Sequence, residues 1–251
     1  MLRSLALVAA CVAAIAAHGQ QRPIATDALR SGLAYVGADV RAMQADDLAN
    51  PGFLWVQRGE ALFTENCASC HRDAASMRGV AARYPAYDAS SSSVLDIEAR
   101  IDQCRTQRQR KPAFGRESDD LLALATFVTH QSRGMPINVS IDGPARESFA
   151  RGEAFYRQRH GQMNLACTNC HDQNYGKRLY TETMSQGHGS AFPAYRLEWQ
   201  ALGSLQRRLR ACLFGVRAEM PRPGAPELTD VELYLAWRAN GLPVESPGVR
   251  R

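Results

Sequence analysis

The stretch Cys167-Thr168-Asn169-Cys170-His171 decides how this chain is interpreted. A C-x-x-C-H pentapeptide is typical of c-type haem attachment, in which the two thiols bind the haem vinyl groups and the histidine is the proximal iron ligand. The same pattern occurs about a hundred residues earlier, as Cys67-Ala68-Ser69-Cys70-His71. Two copies on a chain that begins like an exported protein predict a c-type cytochrome with two covalently bound haem c groups.

The N-terminus has the features of a secretory signal peptide. Arg3 precedes an apolar run from Leu5 to Ala17, and polar residues follow from His18. This run is too short to span a bilayer, and the small residues at its end suit a cleavage site. We therefore predict a signal peptide over residues 1–18, a mature protein without a membrane span, and a periplasmic location.

Composition and charge narrow the choice of partners. The chain has 251 residues, 45% of them hydrophobic, which is typical of a globular protein with one large or two small domains. The formal net charge of +5 is carried almost wholly by arginine, because Lys111 and Lys177 are the only lysines. This charge is too mild and too scattered to indicate nucleic-acid binding, and it favours at most an acidic protein partner.

The sequence around the two motifs repeats itself. Residues Arg58–Phe63 and Arg151–Tyr156 are similar, and each predicts a short helix that leads to the first motif cysteine. After each motif comes a long loop and then an amphipathic segment that ends in a lone cysteine. These segments are Ile97 to Cys104 and Leu205 to Cys212.

A further helix closes each repeat. Apolar residues at helical spacing after an acidic N-cap predict helices from Asp119 to His130 and from Asp230 to Ala239. Met135 follows Cys104 by 31 residues, and Leu242 follows Cys212 by 30. We therefore predict a mostly α fold with long loops. It consists of an N-terminal extension (19–56) and two tandem cytochrome c-like haem domains (57–140, the first module, and 141–251, the second module).

Two cysteines remain after the motifs and the predicted signal peptide, which contains Cys11, are set aside. Cys104 and Cys212 are either inert buried thiols, partners in a disulfide, or thiolate ligands of the haem irons. Their equivalent positions in the two repeats favour thiolate ligation, opposite the histidine of each motif. In the second module Met220 also precedes the last helix and stays open as an alternative iron ligand.

An arginine stands four residues before each of these cysteines. Arg100 precedes Cys104 and Arg208 precedes Cys212, so each guanidinium shares a helical face with its sulfur. A neighbouring arginine favours the thiolate and can bind a sulfate-like anion with its planar donors. The alternative interpretation is that these arginines are solvated or bind haem propionates. Cationic residues are denser in the second module, where they include Arg207, Arg210 and Arg217.

These features together resemble one family. Two C-x-x-C-H motifs, each followed by a lone cysteine, and the run from Cys212 to Glu219 are similar to the A subunit of the sulfur-oxidising SoxAX cytochrome in its dihaem form. The resemblance covers nearly the whole mature chain. It implies a heterodimer with a small monohaem cytochrome (SoxX-like) and an L-cysteine S-thiosulfotransferase activity. In that reaction thiosulfate is joined oxidatively to a cysteine of a carrier protein (SoxYZ-like), and two electrons leave through the haems.

The same resemblance implies which residues bind the two haems. The covalent attachment residues are Cys67, Cys70, Cys167 and Cys170. The axial ligands of iron are His71 with Cys104 for the first haem, and His171 with Cys212 for the second.

The resemblance also implies an active site at the second haem. Cys212 is then the active-site cysteine, which the family carries as a persulfide, and Arg208 binds the substrate anion. The chain departs from the family after Glu219, where Met220-Pro221 stands in place of a proline followed by an aromatic residue.

Three other functions stay open on the sequence alone. The first is a dihaem electron carrier without a substrate, which predicts Met220 as a ligand. The second is a dihaem peroxidase, which needs a distal acid or base such as His188 or Glu219 and in which peroxide would oxidise cysteine ligands. The third is a zinc module, in which each C-x-x-C-H motif is one ligand short of four.

Overall fold

In the computed structural model of this chain, residues 22–251 are described, so the predicted signal peptide and Cys11 lie outside the described residues. No helix within residues 22–251 is long and apolar enough to cross a membrane. The α-helices are α1 (Ala38–Ala45), α2 (Phe53–Asn66), α3 (Ala68–His71), α4 (Ile97–Gln103), α5 (Asp119–His130), α6 (Arg146–Arg157), α7 (Cys167–His171), α8 (Leu205–Gly215) and α9 (Pro226–Arg238). The strands are β1 (Ala86–Asp88), β2 (Ser93–Leu95), β3 (Arg178–Leu179), β4 (Glu182–Thr183), β5 (Ala194–Arg196), β6 (Ala201–Gly203) and β7 (Gly248–Arg250).

Each module is built on one closely packed pair of long helices, α2 with α5 and α6 with α9. A Cβ atom placed on Gly59 would lie 2.1 Å from the backbone oxygen of Ala123, and one placed on Gly152 would lie 2.0 Å from that of Asp230. Only glycine permits this approach, so both glycines mark the same helix crossing. The helices predicted before each motif are confirmed and are longer than predicted.

The predicted bounds of the last helix are right in the first module and partly wrong in the second. α5 spans Asp119–His130 as predicted, although its N-cap is Ser118, which accepts a hydrogen bond from the backbone of Leu121. The prediction that the second helix begins at Asp230 is wrong, because α9 begins at Pro226. Proline suits the first turn of a helix because its φ is already helical and its missing N–H has no partner to lose.

The buried side chains form two clusters, one around each helix pair. The first core contains Phe63 and Phe127, whose ring centroids are 5.3 Å apart. The second contains Tyr156 and Tyr234, whose centroids are 5.1 Å apart. These aromatic pairs join α2 to α5 and α6 to α9 at equivalent places, so the repeat seen in the sequence extends to the packing.

The segments that follow α5 and α9 hold the modules together. Pro136 and Pro243 form an antiparallel bridge between these segments. The backbone N–H of Ile137 donates to Leu242 at 2.9 Å, and that of Val244 donates to Met135 at 2.9 Å. Met135 therefore belongs to a backbone contact between the modules, which accounts for its place after the last helix.

The N-terminal extension packs on the second module. Gln44 of α1 accepts a hydrogen bond from the backbone N–H of Val249 in β7 at 3.0 Å, and Asn50 donates to Pro247 at 2.8 Å. β7 in turn pairs in parallel with β5, which pairs antiparallel with β6. This three-stranded sheet supports the loop that leads into α8.

Candidate active site

The second C-x-x-C-H motif lies on α7, a short helix capped by one of its own residues. The side chain of Asn169 accepts a hydrogen bond from the backbone N–H of Ala166 at 2.9 Å. Helical spacing then brings the two cysteines and the histidine of the motif onto one face. Burial, followed by the charge of Cys212, raises the pKa of Cys167 to about 12, so the lone cysteine of this module lies beside the motif.

Helix α8 supplies that lone cysteine. Ser204 caps the helix, and Arg208 lies one turn before Cys212 on the same face. Burial alone would raise the pKa of the Cys212 thiol. The charge of Arg208, the side chain of His171 and then the charge of Arg196 outweigh this effect and lower the pKa to about 7. A large fraction of Cys212 is therefore thiolate at neutral pH, which is the form that binds metals and attacks electrophiles.

Arg196 is a residue of this site that the sequence analysis missed. It lies on β5, is 4% exposed, and donates from Nε to Glu198 at 3.1 Å. Its guanidinium is 5.0 Å from the ring centroid of Trp199, and the guanidinium of Arg207 is 4.4 Å from the same centroid. The indole therefore lies against two cations and holds Arg196 of β5 beside Arg207 of α8.

The remaining arginines near Cys212 have separate roles. Arg210 donates from Nε to the backbone oxygen of Pro221 at 2.9 Å and so fixes the loop after α8. Arg217 is exposed. Within residues 22–251 Arg208 has no ion-pair partner, which leaves its guanidinium available to an anion.

The first motif lies on α3 in a more exposed setting. Cys70 and His71 are exposed, whereas His171 is half-buried. Burial, followed by the charge of Cys104, raises the pKa of Cys67 to about 11, so Cys104 lies beside the motif cysteines of its own module. The surroundings of the two lone cysteines differ in backbone conformation, since Cys104 begins a five-residue π-helical turn after α4.

Arg100, the counterpart of Arg208, is neutralised. Its Nη1 lies 2.9 Å from a carboxylate oxygen of Asp88 and 2.5 Å from the side-chain oxygen of Gln103. Hydrogen bonds from Ser90 and Gln103 hold the pKa of Asp88 well below its usual range, so this carboxylate stays charged at neutral pH. The arginine that corresponds to Arg208 is therefore paired with a carboxylate in the first module.

The hairpin and the cysteine-bearing helix of the two modules align without an insertion. β1, β2 and α4 begin at residues 86, 93 and 97, while β5, β6 and α8 begin at residues 194, 201 and 205, a constant difference of 108. This alignment matches Arg100 with Arg208. It also matches Asp88 with Arg196, so a carboxylate in the first module corresponds to a guanidinium in the second.

The geometry bears on two alternatives from the sequence, a disulfide between the lone cysteines and Met220 as an iron ligand. All six cysteines within residues 22–251 are free thiols, so Cys104 and Cys212 are not joined by a disulfide. Met220 is 39% exposed and lies beyond the end of α8, whereas the Cys212 thiol interacts directly with His171. This arrangement favours Cys212 over Met220 as the partner of His171.

His188 is buried and remains neutral. Its Nε2 donates to the side-chain oxygen of Gln186 at 3.2 Å. Burial, followed by the charges of Arg238 and His171, lowers the pKa of His188 to about 3. At neutral pH it therefore has no proton to release as an imidazolium, which disfavours it as the distal acid of a peroxidase.

Comparison with known proteins gives consistent matches. A protein-family model for the SoxA/TsdA cytochrome c domain matches residues 54–137. The chain is 38% identical over 230 residues to the L-cysteine S-thiosulfotransferase subunit SoxA of Pseudaminobacter salicylatoxidans, covering 88% of this chain and 80% of that protein. It is 35% identical over 231 residues to the protein of the same name from Paracoccus pantotrophus, covering 89% of this chain and 80% of the relative.

A solved structure shares the fold. The chain superposes on a chain of the crystal structure of SoxXA from Paracoccus pantotrophus with a TM-score of 0.86 at 34% identity. The superposition covers 89% of this chain and 87% of that one. The similarity therefore extends over both modules and not only over residues 54–137.

Proposed function

Because this chain belongs to the SoxA family of L-cysteine S-thiosulfotransferase subunits, we propose that it joins thiosulfate to a cysteine of a carrier protein during sulfur oxidation. The carrier S–H bond breaks and an S–S bond to thiosulfate forms, which gives a cysteine S-thiosulfonate. The proton passes to solvent, and the coupling releases two electrons. The rival function, a dihaem electron carrier without a substrate, leaves the unpaired Arg208 beside Cys212 without a role.

The cytochrome c domain implies covalently bound haem c, and the donor set of this chain fits two such groups. Each C-x-x-C-H motif provides two free thiols beside an imidazole, and each has one further free cysteine nearby. The residues that would hold the haems are Cys67, Cys70, His71 and Cys104 in the first module, and Cys167, Cys170, His171 and Cys212 in the second. When bound, haem c supplies an acceptor for the electrons that the coupling releases.

The environment of Cys212 carries the assignment of catalysis to the second module. Its pKa is lowered to about 7 chiefly by Arg208, against the effect of burial. Arg208 has no ion-pair partner within residues 22–251, and Arg196 adds a second positive charge from β5. Thiosulfate is a dianion, so these two guanidiniums attract it and offset its charge as it reaches the active-site sulfur.

In this mechanism Arg208 binds the substrate anion and Cys212 is the active-site cysteine, which the family carries as a persulfide. Arg196 lies behind them, where its charge favours the thiolate of Cys212 and the bound anion. Arg196 is buried, and Arg208 and Cys212 are half-buried, so water screens both attractions less than it would at an exposed surface.

The names of the similar proteins indicate which proteins this chain binds. The superposed structure is named SoxXA, so we propose that this chain forms a heterodimer with a SoxX-like monohaem cytochrome and acts on a SoxYZ-like carrier. The reaction would take place in the periplasm after removal of residues 1–18. The repeat in helix packing supports a division into two haem domains at residues 57–140 and 141–251.

The proposal is tested with the chain, its monohaem partner and the carrier purified together. Mass spectrometry of the carrier after incubation with thiosulfate and an electron acceptor reports the S-thiosulfonate, and the masses of the two motif peptides report haem attachment. Cys212→Ser is expected to abolish product and to change one low-spin signal in electron paramagnetic resonance. Cys104→Ser is the matched control and is expected to retain product. Product formation by Cys212→Ser, or its equal loss in both variants, would overturn the assignment of catalysis to the second module.

A further inference from the structure

The imidazole of His171 is held by the backbone of a loop. Its Nδ1 lies 2.8 Å from the backbone oxygen of Ser185. A carbonyl oxygen only accepts hydrogen bonds, so Nδ1 carries the proton and Nε2 keeps the lone pair that a metal requires. In the described part of the chain no hydrogen bond reaches the ring of His71, so the two motif histidines differ in this respect.

The backbone that provides this carbonyl lies directly against the imidazole ring. A Cβ atom placed on Gly187 would be 2.9 Å from Cγ of His171. The φ angle of Gly187 is +75°, which glycine adopts at low cost. The backbone N–H of Gly187 also donates to the side chain of Ser185 at 3.2 Å, which closes the turn.

The loop is fixed from behind by Gln186, which is 1% exposed. Its side chain accepts a hydrogen bond from the backbone N–H of Arg30 at 2.8 Å and donates to the backbone oxygen of Ala28 at 3.0 Å. The N-terminal extension therefore holds this loop in place.

Helix α9 fixes the loop from a second direction. Nη2 of Arg238 donates to the backbone oxygen of Gln186 at 3.2 Å and to Asp172 at 2.6 Å. Asp172 follows His171 in the chain, so the histidine and the loop that contacts it are tied to the same guanidinium. The extension, the loop and α9 thus form one closed network around His171.

We propose that Gln186 and Gly187 are positioning residues that form a proximal clamp on His171 and make the second haem the harder of the two to reduce. A hydrogen bond accepted from Nδ1 makes the imidazole a stronger donor to iron, which favours the ferric state. The clamp also gives the N-terminal extension a role at the second module. This inference rests on the proposed function, because it requires a haem attached at Cys167 and Cys170.

The experiment is a spectroelectrochemical titration of the holoprotein, with electron paramagnetic resonance to resolve the two haems. Gly187→Ala introduces a methyl group against the ring of His171 and is expected to raise the midpoint potential of the second haem while the first haem is unchanged. Gly176→Ala is the matched control. Its φ is +82° and its Cβ would meet nothing within 4 Å, so it carries the same backbone strain in the same loop without touching the ring.

A second variant keeps the inference testable if Gly187→Ala does not fold. Gln186→Ala releases the loop from the N-terminal extension and is expected to shift the potential of the second haem in the same direction by a smaller amount. An unchanged potential of the second haem in the folded variants, or equal shifts in Gly187→Ala and Gly176→Ala, would overturn the clamp. The masses of the two motif peptides separate this failure from that of the proposed function, since a second motif without haem would overturn both.

Discussion

The two modules present the same arginine–cysteine pair with opposite electrostatic surroundings. In the first module Arg100 is bound by Asp88, whereas in the second Arg208 has no ion-pair partner within residues 22–251. The position of Asp88 on β1 corresponds to that of Arg196 on β5. A carboxylate that pairs with Arg100 in the first module is therefore replaced in the second by a guanidinium, which is itself paired with Glu198.

The two modules therefore share a scaffold and differ in the groups around it. The helix crossing, the aromatic pair and the C-x-x-C-H motif are kept in both modules. The second module adds Arg208, which has no ion-pair partner within residues 22–251, and a backbone carbonyl that accepts a hydrogen bond from His171. In the proposed function Arg208 acts on the sulfur and its substrate, and the carbonyl acts on the iron ligand.

The largest difference between the modules is expected when Arg208 and Arg100 are each replaced by alanine. Arg208→Ala is expected to lower kcat/KM for thiosulfate coupling by about 10²- to 10³-fold, because a charged donor aimed at the substrate anion is lost. Arg100→Ala is expected to leave kcat/KM unchanged, since its charge is already offset by Asp88. Steady-state kinetics of both variants measure this, and equal losses would contradict the asymmetry.

The helix crossings offer a structural form of the same comparison. Gly152→Ala forces a methyl group toward the backbone oxygen of Asp230 and is expected to lower the free energy of unfolding by about 1–3 kcal/mol. Gly59→Ala meets Ala123 in the same way and is expected to cost a similar amount in the first module. Thermal denaturation followed by circular dichroism reports both, and an undiminished melting temperature in either variant would show that its crossing is not tight.

Arg196 and Asp88 occupy equivalent positions with opposite charge, so neutralising each one tests whether this charge distinguishes the modules. Arg196→Gln is expected to lower kcat/KM on the order of tenfold, less than Arg208→Ala, because Arg196 lowers the pKa of Cys212 less than Arg208 does and is partly offset by Glu198. Asp88→Asn frees Arg100 and is expected to leave turnover unchanged. A rise in turnover for Asp88→Asn would mean that the first module also supports catalysis.

A smaller effect is expected at the interface of the modules, where Glu98 corresponds to Gln206. Burial, followed by the charge of Asp96, raises the pKa of Glu98 from its ordinary value of 4.5 to about 8. The folded protein therefore holds this proton more tightly than the unfolded chain between these values, so the contribution of Glu98 to stability is fully present below pH 4.5 and is lost as pH rises toward 8. In Glu98→Gln the melting temperature is expected to decline less over this interval. Parallel curves for wild type and variant would contradict this assignment.

Features that depend on local spacing could be predicted from the amino-acid sequence alone. The two motifs place their cysteines and histidine by helical periodicity, and the offset between repeats identified Cys104 and Cys212 as equivalents. α5 was predicted at its observed bounds because its apolar residues recur at helical spacing, although Ser118 and not an acidic residue caps it. The start of α9 was missed because Pro226 was not recognised as a first helical residue.

The different surroundings of these equivalent residues are visible only in the folded protein. Asp88 reaches Arg100 across a hairpin, and Arg196 reaches the second site from a sheet whose third strand comes from the C-terminus. The contact of Gln186 with Arg30 joins residues 156 positions apart. Such contacts depend on how loops of different length bring elements together, and charge interactions fall off with distance in space rather than in sequence. Motif spacing therefore predicted which residues could bind haem and an anion, while packing determined that Arg100 is ion-paired and Arg208 is not.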